Sequence, residues 1–233
     1  MHNLNLFLFG VYPYIAIAVC IVGCIIRYDA QPYNWRAGSS QMLSKKGTVF
    51  TNNLFHIGIL LIVIGHTFGL LTPKSVYEKF VTPEQHQIFA MVAGGTAGTM
   101  VFIGLILLML RRWREPRVNR TSSTGDKIIL WLLLAQVVLG LMTLFVSYQH
   151  LDGITLEHIE NYFQSFFYFG TFQSYEGIEN ISIIYKAHII LGFTLILIIP
   201  FSRLHHALSA PIWYFGRRYQ IVRTRFALNK SRY

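Results

Sequence analysis

Five long stretches of this chain carry no charged side chain, and nothing else constrains its fold as tightly. Residues 1–26 contain no Asp, Glu, Lys or Arg. Between Lys46 and Lys74 lie 27 uncharged residues, between Glu84 and Arg111 lie 26, and between Lys127 and Asp152 lie 24. The gap from Lys186 to Arg203 is only 16, but the uncharged run Ile181–Tyr185 precedes it. A helix needs about 20 apolar residues to cross a bilayer core. The gaps therefore predict spans at roughly 3–26, 49–71, 88–110, 128–149 and 181–204. Lys186 falls near one end of the fifth, where its long stem can carry the ammonium to the interface. Segments such as IGILLIVIGHTFGLL and KIILWLLLAQVVLGLMTLF are apolar all round and lack the polar stripe of a soluble helix. Charged residues are only 13% of the 233, against about 25% in a typical globular chain, too few to coat a soluble surface. The expected fold is an all-α integral membrane protein. It forms a single membrane domain over 1–233 that ends in a basic tail, 205–233. The first span begins almost at Met1, without a basic leader or a clear cleavage site, and reads as a retained anchor.

The net charge of +10 invites a nucleic-acid reading until it is divided among the connections. Seventeen of the 20 Lys and Arg fall in segments 27–46 and 111–127 and from Arg203 onward. The alternate connections hold only Lys74, Lys79 and Lys186, with seven of the ten acids. Positive residues stay cytoplasmic. The N-terminus is therefore expected outside and the C-terminus in the cytoplasm. No nucleic-acid partner is expected. The membrane lipid is, and the basic face can dock a cytoplasmic protein. The acidic connection 150–180 is crowded with Tyr162, Phe163, Phe166, Phe167, Tyr168, Phe169 and Phe172. It reads as a re-entrant or interfacial segment whose rings suit the headgroup zone. Cys20 and Cys24, four apart on one helix, read as small packing residues.

Ionisable residues inside a membrane are rare and functional by default. His56 and His66 lie within the second span. His188 lies near the start of the fifth, and His205 and His206 near its end. The two spans run in opposite directions, so His56 matches His206 in depth and His66 matches His188. Two cross-helix pairs suggest two metal centres stacked across the bilayer. An 18-residue step is five whole helical turns, which puts His188 and His206 on one face and turns His205 about 100° away. His205 is thus the poorer ligand, a surface residue or a propionate neighbour. The spacings are unequal: about 15 Å of rise separates His56 from His66, against about 27 Å for the other pair. Tilt, or a bend at Pro200, can absorb part of that difference. No Asp, Glu or paired Cys accompanies these histidines, so a structural zinc or an iron–sulfur cluster fits poorly. A haem held between two helices fits better. Gly58, Gly65, Gly69 and Gly192 lie near the ligands and leave room for it, or else serve ordinary helix packing, as does Gly94/Gly98. Arg111, Arg112 and Arg203 either pair haem propionates or anchor the interface.

At this point the chain resembles a known family. NLFHIGILLIVIGHTFGLLTP and KAHIILGFTLILIIPFSRLHH resemble the second and fifth spans of the gamma subunit, a dihaem cytochrome b, of membrane-bound respiratory nitrate reductase. YPYIAIAVCIVGCIIRYDAQPYNWRAGSSQMLSKKG, FAMVAGGTAG and PRVNRTSSTG are similar too. The resemblance covers nearly the whole chain and is weakest over 150–180. It implies two b haems as cofactors, a distal one on His66 and His188 and a proximal one on His56 and His206. It implies a quinol site at the distal haem, with His66, Gly69 and His86. The position of His86 commonly holds Lys in the family. It also implies an iron–sulfur beta subunit and a molybdenum alpha subunit on the cytoplasmic side, reduction of nitrate, and residence in a bacterial or archaeal cytoplasmic membrane. One alternative is the dihaem anchor of a different reductase, sulfite- or heterodisulfide-linked. Another is a transporter with histidines in a proton path. That would require acidic relays within the spans, where this sequence offers little beyond Gln136.

Overall fold

A computed structural model describes residues 2–30 and 48–208. Much of the basic segment 27–46 and most of the tail 205–233 lie outside the described residues. The elements run in chain order as α1 (His2–Asn5), a π-helical turn (Leu6–Val11), α2 (Tyr12–Ala30), α3 (Thr48–Leu71), α4 (Lys74–Tyr77) and α5 (Pro83–Arg114). They continue with α6 (Pro116–Arg120), α7 (Thr124–Gln149), α8 (Ile154–Ser165), α9 (Thr171–Glu179) and α10 (Ile183–Ile198). Short 3₁₀ turns follow at Ile199–Phe201 and Arg203–Ala207. Among the described residues there is no strand. Five of the described helices are long and apolar enough to cross a membrane: Asn3–Ala30, Val49–Leu71, Pro83–Arg114, Thr124–Gln149 and Ile183–Phe201. Each overlaps one of the five uncharged gaps.

The helix ends are set by local chemistry. Thr82 and Gln85 form a reciprocal capping box with Pro83 in the first turn of α5, and Ser123 and Asp126 form another at α7. Buried Gln87 ties the next corner together. Its Nε2 donates to Ser147 O and His150 O, and its Oε1 accepts from the Gly153 amide. Gly153 begins α8 at φ +77°, with Pro83 where a side chain would go.

Glycines fix the register of α3 on α5. A Cβ on Gly58 would meet Val101 at 2.7 Å, and one on Gly104 would meet Phe55 at 2.9 Å. Residues 58 and 101, and 55 and 104, are therefore level, so His66 is level with Ala93. α5 packs on α7, α7 on α10 and α10 on α2, while α8 closes over one end of α3. Helices α3 and α10 each lean on other neighbours.

The bundle has an acidic end, built from α4, α8 and α9, and a basic end, built from Arg27, α6 and the turns after α10. The 150–180 segment proves to be two helices joined by a 3₁₀ turn. Its aromatic residues divide. Tyr162 is fully buried and its hydroxyl donates to Phe9 O at 2.6 Å. Phe163 and Phe166 pack with it against Phe193 of α10. Phe167 and Phe169 stand exposed as headgroup residues would. Lys186 lies at this end and donates to Glu179 O at 2.6 Å.

Candidate functional site: two facing histidine pairs

The four histidines meet in two pairs, His66 with His188 between α3 and α10, and His56 with His206 between α3 and the 3₁₀ turn beyond α10. The His66 and His188 ring centres are 6.4 Å apart, and those of His56 and His206 are 6.5 Å apart. Two imidazoles binding one metal from opposite sides, with metal–nitrogen bonds of about 2.0–2.1 Å, put their ring centres roughly 6.5 Å apart. Three of the rings are already oriented for this. Nδ1 donates to the backbone carbonyl one turn back: His56 to Asn52 O at 2.7 Å, His66 to Ile62 O at 2.9 Å and His206 to Arg203 O at 2.5 Å. A carbonyl only accepts, so Nδ1 carries the hydrogen and Nε2 keeps its lone pair for a metal.

His188 is held differently. Its ring lies over Gly140 of α7, where a Cβ would come within 2.9 Å of Cε1. Its backbone carbonyl accepts from Gln136 Nε2 at 3.1 Å. The His188 Nδ1 and Gln136 Oε1 are both buried without a hydrogen-bond partner, and they belong to side chains of this one contact. No sequence motif marks Gly140 or the contact with Gln136. A glycine in the middle of an apolar span was the only available signal.

Among the described residues, no three His, Cys, Asp or Glu side chains gather as a metal site. Each centre thus offers two ligands, and the metal must bring the rest. A porphyrin brings four in a plane and leaves the two axial positions to opposed histidines. Room for the plane exists beside His66. Gly65, Gly69 and Gly94 have nothing within 4 Å of where a Cβ would stand, and Gly65 is level with Gly94. Gly58 instead serves close packing against α5, as Gly98 does against Leu141. The residues present fit two bis-histidine haems.

The basic end corrects three expectations. α10 does not run on to His206. It stops at Ile198, because Pro200 has no amide hydrogen to donate. The five-turn argument for a shared face therefore fails, although His206 still arrives opposite His56. His205 is not a surface residue: it is 2% exposed, and its Nδ1 bonds Ser202 O. Arg203 and Arg112 turn to buried Asp126, at 2.7 and 4.0 Å, so neither is a plain interface anchor. Arg27 donates to Pro200 O at 2.6 Å and satisfies the backbone at the helix break. These groups border an open cleft of about 260 Å³ lined by Arg27, Ser123, Asp126, Phe201, Ser202 and Arg203.

At the acidic end His86 does not touch His66. It lies seven residues along α5 from the His66 level, about 10 Å farther out. It sits in a cluster the sequence reading did not foresee. The Tyr77 ring is 4.3 Å from the His86 ring, and the Tyr77 hydroxyl donates to Glu160 Oε2 at 3.2 Å. His86 Nδ1 is 3.2 Å from Glu160 Oε1. Burial pushes the Glu160 carboxyl up to about 7, against the pull of the Tyr77 hydroxyl. Burial, with the nearby Glu160 charge, raises the Tyr77 phenol to about 12.

Comparison with known proteins bears on the chain as a whole. A family model described as the nitrate reductase gamma subunit matches residues 5–225. The chain is 47% identical over 227 residues to the respiratory nitrate reductase 1 gamma chain of Escherichia coli K12, covering 97% of this chain and all of that one. It is 46% identical to the respiratory nitrate reductase 2 gamma chain of the same strain, over 95% of this chain and 98% of that one. The nitrate reductase gamma chain of Bacillus subtilis 168 is 32% identical, over 94% and 97% of the two chains. These matches set aside the transporter reading and the sulfite- and heterodisulfide-linked alternatives. The chain belongs to the nitrate reductase gamma subunit family and is the membrane anchor of a respiratory nitrate reductase.

Proposed function

We propose that this chain oxidises quinol at its acidic end and conducts the electrons across the membrane to its basic end. The observation that carries this reading is the pair of histidine contacts, 6.4 and 6.5 Å between ring centres, at two depths between α3 and the chain from α10 through the turns that follow it. His66 and His188 would hold a distal b haem, and His56 and His206 a proximal one. When bound, haems with both axial positions filled carry electrons and leave no site for substrate.

The protein's own groups do the rest. The Nδ1 bonds of His56, His66 and His206 fix the tautomer and raise ligand basicity. Apolar α3, α5 and α10 exclude water from the path. The quinol headgroup would lie beside His66 and Gly69, where the α3 surface is open, with His86 receiving a proton on the outward side. The charge asymmetry supports an N-terminus outside and a basic cytoplasmic face. That face would dock an iron–sulfur beta subunit, which passes the electrons to a molybdenum alpha subunit for nitrate reduction. The location would be a bacterial or archaeal cytoplasmic membrane.

The complex purified with its partners should show b-type absorption that bleaches on oxidation and returns when a quinol is added. Haem that is reduced by dithionite but never by any quinol would overturn this reading.

A further inference from the structure

Glu160 is a buried carboxyl to which the electron path gives no task. It is 1% exposed, and its two polar partners come from two other elements. Tyr77 arrives from α4 and donates to Oε2. His86 arrives from α5 and brings Nδ1 to 3.2 Å of Oε1. These last two atoms are both buried, and neither has a hydrogen-bond partner. One proton shared between them would satisfy both, since it gives the imidazole a donor and the carboxyl an acceptor, or the reverse. Glu157, on the preceding turn of α8, pairs with Lys74 at 2.7 Å, and both are partly exposed. Lys74 also meets Glu78 at 3.7 Å. On the other side of α8, Glu179 of α9 accepts from Asn5, and Glu176 is exposed. The Glu157 and Lys74 charges also act on the Glu160 carboxyl, so a buried carboxyl lies between His86 and a charged pair at the surface.

We propose that Glu160 is the proton acceptor behind His86, with the Glu157–Lys74 pair as its exit to the acidic side. This rests on the quinol reading given above. In the step, a quinol hydroxyl loses its proton to His86 Nε2 and is left as the oxyanion. His86 gives up its Nδ1 proton to Glu160 Oε1. The imidazole ends neutral and the carboxylate ends as the acid. No electron moves through this cluster. Burial raises the carboxyl to about 7, so Glu160 can both take and release a proton near neutrality. Tyr77 keeps its own proton at that pH and stabilises the carboxylate by donating to it.

The test uses the whole complex. Infrared difference spectra of the wild type between about pH 5 and pH 9 should contain a protonated-carboxyl C=O band that titrates near neutrality. The band should vanish in Glu160→Gln. Quinol oxidation by the wild type should rise with pH through the same region, because only the carboxylate accepts a proton. Glu160→Gln should lower kcat by about 10²-fold or more, leave KM nearly unchanged and lose that limb of the pH profile. Glu160→Asp should restore the limb in part. Wild-type haem content and a normal dithionite-reduced spectrum in both variants would show that the fold is intact. A wild-type rate and pH profile in Glu160→Gln, or no titrating band in the wild type, would overturn the proposal. If the wild type itself fails to oxidise quinol, the quinol reading falls, and this inference with it. The infrared band then tells whether the carboxyl still shares a proton.

Discussion

The two histidine pairs have nearly the same ring separation but are built by different means. At the acidic end, both His66 and His188 stand on uninterrupted helices, and His188 is seated on Gly140. At the basic end, His56 stands on a helix while His206 stands on a short 3₁₀ turn beyond a break. The break accounts for the unequal spacings. His66 lies 10 residues from His56 along α3, and α10 ends 10 residues after His188, at Ile198. Both helices thus cover about 15 Å between the two levels. The last eight residues to His206 do not extend the helix; they carry the chain across to meet His56. Gly23 and Arg27 of α2, one turn apart, accommodate this turn. A Cβ on Gly23 would lie 2.8 Å from the Pro200 ring, and Arg27 donates to the Pro200 carbonyl. One centre depends on a glycine under a ligand, the other on a proline and the helix that cradles it.

Substitutions at the two glycines should therefore separate the centres. The larger effect is expected from Gly140→Val. Its Cβ displaces the His188 ring directly, and the surrounding helix cannot recede from a side chain lodged between α7 and α10. Optical redox titration of membranes should show the acidic-end haem lost and the other retained. Equal loss of both would mean that the two sites are not independent. Gly23→Val should have the smaller effect. Overpacking of this kind costs about 1–3 kcal/mol, and the Pro200 turn ends in short 3₁₀ segments that can shift. Partial loss or a shifted potential of the basic-end haem alone is expected, read in the same titration. An altered acidic-end haem with a normal basic-end one would reverse the assignment.

Much of this architecture was readable from spacing. The uncharged gaps marked the five spans because a bilayer core tolerates almost no charge, and depth alone paired His56 with His206 and His66 with His188. Facing is legible only on an unbroken helix. A shared face for His188 and His206 needs the fifth span to be one continuous helix, and Pro200 breaks it. The surface reading of His205 fails for the same reason: a 100° turn has meaning only on a regular helix. The Glu160 cluster was hidden for another reason. Tyr77, His86 and Glu160 are 9 and 74 residues apart and come together only when α8 folds back over α3 and α5. The aromatic run 162–172 carried no periodic signal to tell Tyr162, which is in the core, from Phe169, which is exposed. Arg112 and Arg203 were read against propionates and the interface, because Asp126 gave no sign from sequence that it would be buried between them.

Each histidine pair is expected to hold one haem. The most direct test is electron paramagnetic resonance of membranes containing the complex, compared among wild type, His66→Ala and His56→Ala. Two distinct low-spin bis-histidine signals should appear in the wild type. His66→Ala should lose one of them and His56→Ala the other. Survival of both signals in either variant, or loss of the same signal in both, would contradict the pairing.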